Sequence, residues 1–232
     1  MYFQHSNEIW NDFPELVPGV LFAEGISKNG SVDHEVARFN AVAESRLRSG
    51  SEAELPEIQA WRRAYSRMGL KPTQYRCASE SLLRRFKKEN SLPQIHPLID
   101  VCNAISIAFA IPVAVFDLAK IAEYVDVRYA TGDETYVTFS GEIEHPDAHE
   151  VIFADDARRA HARRWVNRQS GYSAVRETTT AVLIVAEAMH DAALEDIQRL
   201  TPTIADALNV IWSVSPKQAI LSQSSPRFEF GP

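Results

Sequence analysis

Apolar residues recur at every third or fourth position through the first half of this chain, then switch to alternation beyond about residue 113. A first strand is expected over Leu16 to Ala23, carrying Val17, Val20 and Phe22, with Pro18-Gly19 as a bend or bulge. Asp33 is placed to cap a helix running to about Arg48, with Val36, Phe39, Ala43 and Leu47 on one face. A second helix is expected from about Leu55 to Met68, where Gly69 ends it and Pro72 prevents its resumption. Ser79 is the expected cap of a third, bearing Leu82, Leu83 and Phe86. The most apolar helix spans about Pro97 to Phe109, its inner face formed by Leu98, Val101, Cys102, Ile105 and Phe109. Strands are then expected around Val125–Tyr129, Tyr136–Thr138, Val151–Ala154 and Ala181–Val185, with a turn at Thr131-Gly132-Asp133 and a final helix over Asp191–Leu200. Helices, then strands, then a helix predict an α+β fold with helices packed on a mixed or antiparallel sheet. The reading assigns one domain to residues 1–215 and a mobile, Pro-punctuated tail to 216–232.

A hydrophobic fraction of 45% and a charged fraction of 24% are ordinary for a globular chain with a substantial core. No apolar run approaches the roughly 20 residues that cross a bilayer, so no membrane partner is expected. The N-terminus has no secretory pattern, and two cysteines, Cys77 and Cys102, are too few for a disulfide framework. Both point to the cytoplasm. A net charge of −7 argues against a surface that coats phosphates everywhere. The positive charge is clustered, however, at Arg62, Arg63 and Arg67, at Arg84, Arg85, Lys87 and Lys88, and at Arg158, Arg159, Arg163, Arg164 and Arg168. Two readings stand: patches that contact one RNA feature, or helix faces neutralised by surface ion pairs.

Motifs for nucleotide hydrolysis, dinucleotide binding, zinc proteolysis and the Ser-nucleophile elbow are absent from the sequence. His145, Asp147, His149 and Glu150 suit a metal by type, but Pro146 and the flanking strands read as an exposed turn; His190 with Asp191 reads as a helix start. No metal and no cofactor are expected. Asn103, in the most apolar helix and three residues after Asp100, must find a partner or line a pocket. Asp117 closes the run IPVAVFD as a strand-end cap. The segment RRWVNRQSGYS (163–173) offers an aromatic ring, a guanidinium and amides to a carboxylate, base or ribose, or else is a strand with one core tryptophan.

The stretches LLRRF (82–86), IDVCN (99–103), PVAVFD (112–117), the Gly132-Asp133-Glu134 turn and ETTTAVL (177–183) together resemble the B3/B4 editing module of the bacterial phenylalanyl-tRNA synthetase beta subunit. That module hydrolyses tyrosine wrongly attached to tRNA. The resemblance implies a B3/B4-like fold and a free-standing protein that binds the aminoacylated acceptor end of tRNA and hydrolyses a mischarged or non-standard ester, without aminoacylation. It implies a pocket lined by Asn103, Arg164, Trp165, Gln169, Ser170 and Thr178, with Asn103, Gln169 and Ser170 the candidates for catalysis and Arg84, Arg85, Lys87 and Arg163 near the RNA. Two departures are evident: Ala114 stands where the family has a histidine, and 163–173 lacks the family's glutamate. Two other readings therefore remain: a module that binds RNA, an amino acid or a small carboxylate without catalysis, and a scaffold protein.

Overall fold

The computed structural model describes residues 1–231. Twelve strands and six helices make an α+β fold. One sheet has the order β12-β1-β4-β7-β8-β9, formed by β1 (Tyr2–His5), β4 (Tyr124–Tyr129), β7 (Val151–Ala154), β8 (Ala160–Arg163), β9 (Arg168–Gln169) and β12 (Arg227–Glu229). A second sheet has the order β11-β2-β10-β3, from β2 (Val17–Glu24), β3 (Val113–Asp117), β10 (Ala181–Ala188) and β11 (Lys217–Ile220). A short ribbon pairs β5 (Tyr136–Val137) with β6 (Ile143–Glu144). Only β1 and β4 pair in parallel among the described strands. The helices are α1 (Asn7–Asp12), α2 (Asp33–Arg48), α3 (Pro56–Arg67), α4 (Ala78–Glu89), α5 (Pro97–Phe109) and α6 (Ala193–Trp212).

Strand β10 is the middle of the molecule. Its sequence AVLIVAEA is apolar without alternation, the pattern of a strand covered on both faces. Leu183 and Val185 join Phe116, Phe3, Val125 and Phe153 between the two sheets. Val182, Ile184 and Ala186 face the other way, against Leu98, Val101 and Ile105 of α5 and Ile197 and Leu200 of α6.

Several expectations are corrected. Most of the expected mobile tail (216–232) is held in place: β11 pairs with β2, β12 pairs with β1, and Phe228 and Phe230 are buried, while Pro232 lies outside the described residues. The apolar residues, spaced across a polar stretch, gave no local sign of these non-local pairings. Strand β1 was equally silent, although Phe3 is fully buried. Pro18-Gly19 forms no bulge; the register of β2 with β10 runs unbroken through Gly19↔Ala186. Gly19 is needed for a different reason, since a Cβ there would meet Thr201 Cγ2 at 2.4 Å. The missing side chain lets α6 lie close on β2. Helix α6 also passes through Pro202, where the sequence suggested an end. Burial of Ile204, Ala207 and Leu208 beyond the proline outweighs the lost backbone bond. Ser79 lies inside α4, whose cap is Cys77, and Asp33 is the first residue of α2 rather than its cap.

The turn at 131–134 gathers charge inward. Burial works to raise the Glu134 carboxyl, but Arg128 and the backbone N–H groups of Thr131 and Gly132 outweigh it and hold it down at about 2. Asp126 shows the opposite balance. Burial lifts its carboxyl from 3.8 to about 6, and Oδ1 has no hydrogen-bond partner. Between those two values the folded protein holds a proton that the unfolded chain has released, so stability falls as pH rises through this window and is flat above it. Asp126→Asn is therefore expected to raise stability at pH 8 by about 1–2 kcal/mol and to flatten the acid-side dependence, read by urea unfolding at pH 4, 6 and 8.

Candidate functional site

The β8–β9 hairpin is the least relaxed part of the backbone. Arg163 pairs with Arg168, and the four residues between them carry two consecutive non-glycine residues in the left-handed region, Arg164 (φ 47°) and Trp165 (φ 59°). Each costs on the order of 1–3 kcal/mol and persists only where the surroundings over-determine it. They do so here. Arg164 N–H donates to Glu150 Oε1 (2.9 Å), and Trp165 N–H donates to the Val151 carbonyl (2.7 Å). Tyr65 Oη donates to the Arg164 carbonyl (3.2 Å), and Ala78 N–H to that of Val166 (2.9 Å). The Asn167 amide donates to the Arg76 carbonyl (2.7 Å). The indole of Trp165 donates to the Glu187 carboxylate at 3.0 and 3.1 Å.

The consequence is a narrow cleft of about 50 Å³ between this hairpin, the first residue of α4 and the start of β3. Ala78, Pro112, Ala114, Trp165, Asn167 and Gln169 are among its lining residues. At roughly 10–15 Å³ per water it has room for a few solvent molecules. The walls are mostly apolar. The Gln169 amide nitrogen donates to the Val115 carbonyl (2.6 Å), which leaves the Gln169 side-chain oxygen free to accept. From Ala78 the basic face of α4 leads away, with Arg84 to Lys88 about 9–15 Å further along the helix axis. Beside it, Glu52, Arg84, Arg85, Lys87 and Lys88 border an open concavity of about 540 Å³.

Of the residues singled out in the sequence, Trp165 and Gln169 line the cleft, together with Ala114. Trp165 is not an exposed platform: it is fully buried, packed edge-on by Phe13 and Trp61. Arg164 adjoins the cleft and lays its guanidinium over Tyr75 at 4.8 Å. Ser170 is buried and donates to the Val137 carbonyl. Asn103 is half-buried on α5 and is not among the lining residues; Thr178 is exposed. Asp117 caps the turn after β3 through Ala119 N–H and also accepts from Thr179. Arg163 is corrected outright. It is buried, bound by Glu150 at 2.9 Å and Glu144 at 2.7 Å, and so does not face solvent where RNA would lie. Ion pairing occupies most of the other basic residues: Arg84 and Lys87 reach Glu52, and Arg85 reaches Glu89. Lys88 and Arg63 are exposed and in no ion pair among the described residues.

Sequence reasoning missed the structural roles of Glu187 and Glu150, which accept from the hairpin, and of His5, which lies against Glu187. The one available signal was Glu187 itself, a carboxylate inside the otherwise apolar run of β10. Burying it unpaired is costly, so it had to be answered from elsewhere in the chain.

Residues 60–209 match the family model of the B3/4 domain. In sequence, the chain is 25% identical over 115 residues to the phenylalanine–tRNA ligase beta subunit of Shewanella oneidensis. It is 30% identical over 97 residues to the same subunit of Coxiella burnetii. These matches take in 50% and 42% of this chain but 14% and 12% of those subunits, so the chain spans only a small part of the relatives' length. Among solved structures, an N-terminal fragment of the phenylalanyl-tRNA synthetase beta subunit from Pyrococcus horikoshii aligns with a TM-score of 0.48 at 9% identity, covering 94% of this chain and 53% of that one. No helix among the described residues is long and apolar enough to cross a membrane.

Glu187→Ala is expected to strip the acceptor from two buried donors and cost about 2–5 kcal/mol. Thr178→Ala, at an exposed position, should stay within about 0.5 kcal/mol. Denaturant unfolding of the two variants checks the contrast.

Proposed function

Since this chain belongs to the B3/4 domain family, we propose that it is an editing-type module that receives the aminoacylated end of a tRNA against the mouth of the hairpin cleft, whose interior has room only for water, and hydrolyses a mischarged or non-standard ester. The observation that carries this reading is the strained Arg164–Trp165 turn, over-determined by six hydrogen bonds, beside a cleft that has space for water. Strain of this kind collects where geometry serves a ligand. Ala114 leaves no imidazole at the cleft, so the chemistry falls to a positioned water, the vicinal ribose hydroxyl of the terminal adenosine and the acceptor oxygens of Gln169 and Asn167. The tRNA backbone would run over α4, held by Lys88, with Arg84 and Lys87 partly engaged by Glu52 and Arg85 by Glu89.

A second reading has its own support. Among the described residues, Arg168 is the only ionisable one that lines the cleft, and none there can act as a general base at neutral pH. That favours a module that binds the acceptor end, or a small carboxylate, without turnover.

Deacylation of a panel of mischarged and D-aminoacyl tRNAs separates the two. The hydrolytic reading expects release of at least one amino acid well above the buffer rate, reduced roughly 10-fold or more in Gln169→Ala. Retained RNA binding with no release from any substrate establishes the binding-only module. On either reading, Arg85→Ala and Lys88→Ala are each expected to lower tRNA affinity and to reduce the slope of log affinity against log salt by about 1. Unchanged slopes would remove α4 from the interface.

A further inference from the structure

Away from the cleft, three chain segments bring metal-ligand chemistry together in the interior. Glu57 stands in the first turn of α3, His190 in the connection after β10 and Asp196 in the first turn of α6. Each offers a ligand-type atom within 4.8 Å of the other two. All three are buried, with side-chain exposures of 7%, 3% and 12%.

Their hydrogen bonding is incomplete. His190 Nε2 meets Asp196 Oδ2 at 2.7 Å, while His190 Nδ1 has no partner. Glu57 Oε1 accepts from Arg46 at 2.6 Å, while Glu57 Oε2, also buried, has none. Arg199 holds the other Asp196 oxygen. A buried carboxylate oxygen and a buried imidazole nitrogen, both without a partner in one cluster, are groups that native interiors rarely leave unanswered. Arg46 and Arg199 each hold one oxygen of the two carboxylates, and the His190 Nε2–Asp196 contact fixes the orientation of the imidazole.

We propose that Glu57, His190 and Asp196 form a binding site for a divalent transition-metal ion, of the class that accepts one imidazole and two carboxylates, such as Zn²⁺ or Mn²⁺. The ion would tie α3 to the end of β10 and the start of α6. It would also sit three residues from Glu187, so its occupancy would stiffen the strand that anchors the hairpin. The exposed His145–His149 turn is a different cluster and is no part of this site.

The test uses the whole protein, stripped with a chelator and dialysed. Addition of Zn²⁺ is expected to bind one ion per chain by calorimetry and to raise the melting temperature by about 5 °C or more at saturating metal, with Mg²⁺ giving no such rise. Mn²⁺ should broaden the amide resonances of residues 57, 190 and 196 before any others in the unaltered protein, a readout that needs no variant to fold. Asp196→Asn should then lose most of the Zn²⁺-dependent shift. Absence of stoichiometric binding, or broadening centred on residues 145–149, overturns the proposal; a melting temperature indifferent to Zn²⁺ does the same, and leaves a bridging water to satisfy the two free atoms.

Discussion

One buried carboxylate organises this molecule. Glu187, 1% exposed, accepts from the Trp165 indole and lies 2.6 Å from His5 Nε2, while its own backbone carbonyl accepts from the Trp61 indole at 3.3 Å. These contacts draw the first strand, the third helix, the β8–β9 hairpin and the central strand to a single point. The rings pack on each other as well as on the carboxylate: Trp61 and Trp165 meet edge to face at 5.2 Å, and Phe13 meets Trp165 at 4.8 Å. A carboxylate in such surroundings is tolerated because both of its oxygens are hydrogen-bonded. Remove it, and the donors that face it lose their acceptor while the tryptophans lose the reason for their orientation.

The site follows from that constraint. A hairpin with two left-handed residues in succession would relax if it were free, and Glu187, Glu150, Tyr65 and Arg76 prevent it. What the arrangement secures is a cleft wall of fixed shape at the junction of both sheets and α4. The surrounding charge is mostly neutralised in pairs, on a chain whose net charge is −7. The positive charge left unpaired on α4, at Lys88, lies about 15 Å along the helix axis from Ala78 at the cleft.

Much of the helical framework was legible in the sequence because its determinants are local. The apolar period, with Gly69 at the end of α3, placed α3 and α5 almost to the residue. Three of the strands that were missed, β1, β11 and β12, depend on partners more than a hundred residues away, and nothing in their own sequences announces the pairing. The site was read in part. Of the segment 163–173 singled out in the sequence, residues 165–169 line one cleft with Ala114, while Arg163, Arg164 and Ser170 do not. The roles within it were not legible: Arg163 and Trp165 look like ligand-binding side chains in sequence but are turned inward by Glu150, Glu144 and Glu187, carboxylates that lie 13 to 22 residues away along the chain. Pairing at that separation is a property of the sheet, not of the motif.

The most direct measurement is the NMR response of the four tryptophan indole N–H groups and the Gln169 side-chain amide to a non-hydrolysable 3′-aminoacylamino adenosine. The account predicts saturable shifts of the Trp165 indole and the Gln169 amide, since both border the cleft, while the indole of Trp212, bound to the Ser27 carbonyl far from it, stays in place. A ligand that binds without moving Trp165 or Gln169, or that shifts only Trp212, would contradict the claim that the strained hairpin forms the site.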